Sequence, residues 1–238
     1  MNSEDLISLK TLLLVLVIMA GSAVSQAGIW SKLSDRSISF TGEVEEGDFA
    51  SLKLVITNST ERLILNSPGG NAVEGLKIGQ ELLRYSIDTE VQGICISSCA
   101  NYLFPVGHRK IISHGVVGYH GNITAVVTIG KDEVLKTLRD SGLSDEVVAT
   151  VFQQLVAASQ IEAAFYSKLG ISQTLFDRTY SRDKGMGDGK AYLALAPTLA
   201  TFEKYGFKGV EGEESLDVIA NDPILKKAAQ QGAPMVID

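Results

Sequence analysis

The run Asn66-Ser67-Pro68-Gly69-Gly70 constrains the fold of this chain more than any other segment. It stops a short apolar run, Arg62 to Leu65, and is followed by Ala72, Val73, Leu76 and Leu83 at helical spacing as far as Tyr85. A strand, a glycine turn and a helix are therefore expected in that order. A looser copy follows, with Thr89 to Gln92 as a strand edge, Gly93 as a turn and Ser97 to Phe104 as a buried helix before Pro105. The alternation Ser37 to Gly42 predicts a strand, while Phe49 to Ile56 suits either helix or strand. His108 to Ile112 and Val116 to His120 read as two further short strands, and Asp132 to Leu169 as one long, mostly helical stretch. Thr198 to Tyr205 predicts a helix ended by Gly206, and Pro223 to Gln231 a last one. Short strands alternating with helices predict an α/β domain.

With 238 residues, 45% of them hydrophobic, the chain can bury a sizeable core, and one main domain over 28–209 with an appendage over 210–238 is the expected organisation. A net charge of -7 without any basic cluster argues against a nucleic-acid surface, which needs grouped Lys and Arg. Residues 1–27 contain the apolar run Thr11 to Ala20 and then small residues through Ala27, which reads as a secretory signal cleaved after Ser25 or Ala27, or as an uncleaved membrane anchor. Cys95 and Cys99 stand four apart; an oxidising compartment would pair them, and two reduced core thiols are the other reading.

A glycine turn after a strand exposes backbone N–H groups, and a serine at the head of a helix feels the positive end of its dipole, so the two together suit a developing oxyanion. Gly69, Gly70 and the Ser98 amide are the candidate donors. A serine also needs a base within hydrogen-bond reach, and the histidines are His108, His114 and His120. Their six-residue spacing invites a metal reading, but on an extended strand neighbours lie roughly 20 Å apart, against ligand distances of about 2 Å. No metal site is expected. The glycine-rich Gly185 to Gly189 lacks the preceding strand and following Lys-Ser/Thr of a phosphate loop and reads as an insertion.

From about Ile38 to Gly206 these residues resemble the Clp protease proteolytic subunits and, more loosely, the signal peptide peptidase A group, both of the crotonase-like fold. The resemblance rests on Phe40-Thr41-Gly42-Glu43-Val44-Glu45, on Asn66 to Gly70, on a serine four residues after Gly93, on Val116-Val117-Gly118-Tyr119-His120, and on Ala196-Pro197-Thr198-Leu199-Ala200 with Tyr205-Gly206. It implies a spiral of strand-strand-helix units. It further implies peptide-bond hydrolysis through an acyl-enzyme, with Ser97 as nucleophile, His120 as general base and Gly69, Gly70 and Ser98 around the oxyanion. Asp177 is the orienting carboxylate by its distance from Leu169-Gly170, with Asp183 the alternative because Gly185 to Tyr192 interrupts the family's spacing. Such chemistry needs neither metal nor organic cofactor; its partners are peptide or protein substrates and further copies of the chain in a homo-oligomer. The doubled Ser97-Ser98 departs from the single serine of the peptidases and makes Ser98 a competitor. Cys95-x-Ser97-x-Cys99 resembles exported relatives in which a disulfide braces the nucleophile turn, implying a periplasmic or secreted protein, membrane-anchored if the leader is retained. A non-catalytic binding or assembly module of the same fold is the rival reading.

Overall fold

The computed structural model describes residues 28–183 and 192–237. Its strands are β1 (Ile29–Lys32), β2 (Ser37–Thr41), β3 (Arg62–Ser67), β4 (Asp88–Ile96), β5 (Lys110–Gly118), β6 (Ala194–Ala196), β7 (Val210–Gly212) and β8 (Met235–Ile237). Its helices are α1 (Asp48–Val55), α2 (Ala72–Leu82), α3 (Ile123–Thr128), α4 (Lys131–Asp140), α5 (Asp145–Leu169), α6 (Thr174–Asp183), α7 (Leu199–Lys204), α8 (Leu216–Asn221) and α9 (Pro223–Gln230). The main sheet has the order β1-β2-β3-β4-β5-β7, antiparallel between β1 and β2 and parallel from β2 onward. Parallel neighbours need crossovers. Helix α1 links β2 to β3, α2 links β3 to β4, and a π-helical turn (Cys99–Leu103) with a 3-10 turn (Phe104–Val106) links β4 to β5. The chain is an α/β protein with a mostly parallel central sheet.

Three local expectations are corrected. Gly93 lies inside β4 at φ 102°, beside a register shift, and makes no reversal there. The absent side chain admits Asn66, whose Oδ1 accepts the Ile94 N–H and occupies the space a β-carbon would need. The two short strands around Ser113 are one continuous β5, because every residue from Ile111 to Gly118 finds a partner on β4 or lies beside one that does. The stretch from Asp132 to Leu169 is two helices, broken where Gly142 takes φ 81° and Ser144 caps α5 by accepting the Val147 N–H.

Alternation along the strands divides the core. One face of β2 to β5 carries Phe40, Leu65, Val91, Cys95 and Val117 and packs with buried residues of α2 and α5 such as Leu76, Ile78, Leu155 and Phe165. The opposite face of β4 and β5 carries Ile94, Ile96 and Val116, covered by Ala194 and Ala196 of β6, Val218 of α8, Leu225 of α9 and Met235 of β8. Strand β8 pairs in parallel with β6 and so brings the last described residues back over the centre of the sheet. No helix among the described residues is long and apolar enough to cross a membrane. The leader expected in residues 1–27, the Gly185 to Gly189 insertion and the side chain of Asp183 lie outside the described residues.

Candidate active site

The residues singled out by the sequence emerge from the carboxyl ends of adjacent parallel strands. Ser67 ends β3 level with Cys95, and Ile96 ends β4 level with Gly118, the last residue of β5. The Ser-Pro-Gly-Gly turn, Ser97 and the Tyr119-His120 step therefore leave the sheet side by side at the carboxyl ends of its strands. One further ladder bond, Ser97 N–H to Gly118 O at 3.0 Å, ties the serine's backbone to the strand that carries the histidine.

Ser97 has φ 56° and is the only non-glycine residue with positive φ among those described. A left-handed serine on a sharp step from strand to helix is strained, and the same step lifts its side chain out of the sheet as in a nucleophile elbow. Ser97 is half-exposed. Ser98 is 1% exposed, and its Oγ has no hydrogen-bond partner among the described residues. Gly75 lets α2 approach so closely that a β-carbon there would stand 3.1 Å from Ser98 Cβ. Of the two serines, Ser97 is partly exposed beside the Gly69 turn and Ser98 is buried against α2. The cysteines form a disulfide with Cα atoms 5.2 Å apart, joining the end of β4 to the first residue of the π-helical turn with Ser97 midway between them.

The glycine turn is built by close approach. A β-carbon on Gly69 would lie 2.6 Å from Ser97 Cβ and 2.9 Å from the Ser98 amide nitrogen, so only glycine allows this contact. Gly69 donates its own N–H to Ser67 Oγ at 3.1 Å. Gly70 forms a parallel bridge with Val44, in which Val44 N–H donates to Gly69 O and Asn71 N–H donates to Val44 O. Gly69 thus packs against Ser97 and the Ser98 amide, while Gly70 packs against Val44.

His120 is half-buried just past β5, whereas His108 and His114 are exposed. Tyr119 before it is fully buried against Phe176 of α6, ring centroids 5.7 Å apart. Gly121 after it lies against the Tyr180 ring, also on α6. Helix α6 thus runs beside the His120 segment, and Asp177 lies between the two contacts, one residue after Phe176 and three before Tyr180. Burial alone pushes the Asp177 carboxyl above its usual range, with no donor or cation pulling it down. Neither the Ser97 hydroxyl nor the Asp177 carboxyl hydrogen-bonds to His120 here; His120 has other contacts. The structure brings the three residues to one end of the sheet without a hydrogen bond from Ser97 or Asp177 to His120.

Sequence reasoning missed the residues that join the serine's element to the histidine's. Asn101, in the π-helical turn, donates from Nδ2 to Gly121 O at 2.8 Å. Tyr166 of α5 donates to Asn101 O at 3.0 Å. The available signal was Glu162, the one charged residue between Glu146 and Lys168 in an otherwise uncharged helical run. Among the described residues no group of His, Cys, Asp or Glu has an arrangement able to hold a metal ion. No protein-family model matches this sequence, and no curated protein matches it.

Proposed function

We propose that this chain is a serine hydrolase of the peptidase type with a Clp-like, crotonase-like fold. The observation that carries the reading is the left-handed Ser97, set on a strand-to-helix step between the Gly69 turn on one side and the His120 end of β5 on the other. In the mechanism His120 takes the Ser97 proton as the hydroxyl attacks the scissile carbonyl, and the Gly70 and Ser98 amides receive the developing oxyanion. His120 then protonates the leaving amine, and water, activated by the same imidazole, releases the acyl group. Asp177 stands on the helix beside His120 as the orienting carboxylate. Catalytic hydrogen bonds are often open before substrate binds, and closure here needs movement of the His120 and Asp177 side chains.

The Cys95–Cys99 disulfide supports export to an oxidising compartment, so we place the protein in the periplasm or outside the cell. Its substrates are then short, unfolded or otherwise delivered polypeptides, and the resemblance to ring- and trimer-forming peptidases favours a homo-oligomer, which light scattering after size exclusion would reject by finding a monomer. A fluorophosphonate probe tests the activity. We expect covalent labelling of the wild type, its loss in Ser97→Ala and its survival in Ser98→Ala. Loss in Ser98→Ala alone would move the nucleophile by one residue. Absence of labelling in the folded, disulfide-bonded wild type would favour the second reading, a non-catalytic module, which the open Ser97, His120 and Asp177 geometry supports.

A further inference from the structure

Glu162, in the middle of α5, is fully buried, yet its carboxyl receives four hydrogen bonds from both sides of the candidate site. Tyr102 of the π-helical turn, five residues after Ser97, donates its hydroxyl to Oε1 at 2.5 Å, and the Ile123 N–H donates to the same oxygen at 3.2 Å. The Thr124 N–H and hydroxyl donate to Oε2 at 2.7 and 2.6 Å. Ile123 and Thr124 open α3, three and four residues after His120, where helical N–H groups have no partner inside the helix. Asn101 spans the same gap directly through its bond to Gly121 O, and Tyr166, one turn from Glu162 on α5, holds Asn101 in turn.

We propose that Glu162 is a positioning residue, which fixes the His120 segment relative to the Ser97 turn by clamping Tyr102 on one side and the first turn of α3 on the other. This rests on the hydrolase reading for its catalytic consequence, though not for its effect on His120. Burying a carboxylate is costly unless all of it is paired, and an element of pure packing would more cheaply carry an apolar residue. Each oxygen accepts one backbone N–H, a donor that cannot reverse. A glutamine has a single acceptor oxygen, so either orientation of its amide sets its NH2 group against the N–H of Ile123 or of Thr124. Glu162→Gln therefore keeps the shape of the side chain and breaks one of its two bonds to the α3 backbone.

The test combines probe kinetics with nuclear magnetic resonance of the imidazole rings in the full chain. His108 and His114 are exposed and serve as internal references. Glu162→Gln should shift the His120 ring signals and leave those of His108 and His114 in place. It should slow the maximal labelling rate of Ser97 by about 10- to 100-fold at an unchanged half-saturating probe concentration, the signature of misplaced reacting groups. Tyr102→Phe, which removes one donor and keeps the ring, should slow it by about 3- to 10-fold and add little to Glu162→Gln when the two are combined. Unmoved His120 signals with wild-type labelling in a folded Glu162→Gln protein would overturn the proposal. If that variant does not fold, the same two readouts on Tyr102→Phe decide. If the wild type is not labelled at all, the hydrolase reading fails, and movement or constancy of the His120 signals still upholds or rejects the clamp.

Discussion

Two glutamates flank the site segments, one on α5 and one just after β7, and the protein treats them differently. Glu162 is held by four donors on the side of the sheet built from α2 and α5. Glu214, beside the smaller cluster formed by β6, α8, α9 and β8, accepts one bond, from the Val117 N–H at 2.9 Å, and its other oxygen is buried without a partner among the described residues. Burial pushes the Glu214 carboxyl up to about 8; it raises the Glu162 carboxyl as well, but there the donors from Thr124, Tyr102 and Ile123 oppose the pull of desolvation. A carboxyl fully surrounded by donors ties elements together. One with a single donor satisfies an open strand edge, and its protonation becomes linked to the packing of the chain's last elements.

The largest effect should come from Glu162→Ala, which strands two backbone N–H groups and two hydroxyls in the interior. A loss of about 3–5 kcal/mol is expected in urea unfolding, against a far smaller change for Glu214→Ala, and equal losses would break the contrast. Next is the disulfide on the Glu162 side of the sheet. Closing so short a loop stabilises by about 2 kcal/mol, so Cys95→Ala with Cys99→Ala should fold while losing most Ser97 labelling, because a left-handed serine persists only where its surroundings enforce it. Full labelling of that folded double variant would show that Gly69 and the ladder bond to Gly118 suffice.

The third effect is the pH response of Glu214. Its folded pKa of about 8 stands above the ordinary 4.5, so between these values the folded protein holds a proton that the unfolded chain has released. Stability from this group is full below the lower value and is lost as pH rises through the higher one, by at most about 1.4 kcal/mol per pH unit. Buried Lys110, lowered to about 8 from 10.5, has the opposite slope above pH 8, where the folded protein holds fewer protons than the unfolded chain. The thermal midpoint should therefore fall from pH 5.5 to pH 7.5, and Glu214→Gln should flatten that fall. A flat wild-type profile would mean that Glu214 is hydrated.

The legible part of the site was its backbone. Proline and adjacent glycines after an apolar run announce a strand, a turn and a close approach, because those residue types restrict or widen φ whatever surrounds them. Gly93 misled for the same reason, since a glycine that makes room for Asn66 looks like one that makes a turn. Fold class was readable from the alternation of strands and helices, and α2 and α9 from their spacing. The two cysteines left pairing open, and the structure joins them. Residues 210–237 were readable only as a tail with one helix. That β7 extends the main sheet while β8 pairs with β6 depends on contacts across the chain, which local propensity does not encode.

By itself the sequence determined an α/β chain with a glycine turn, a serine and a histidine at the ends of successive elements, since periodicity and φ restrictions act within a few residues. Tertiary structure alone decided that these elements are neighbouring parallel strands. It also decided that Ser97 stays partly exposed while Ser98 is buried against α2, and that Glu162, far along the chain, joins the two segments. Strand pairing, burial and the satisfaction of interior donors are settled between residues distant in sequence, and a linear pattern holds no record of which of them will meet.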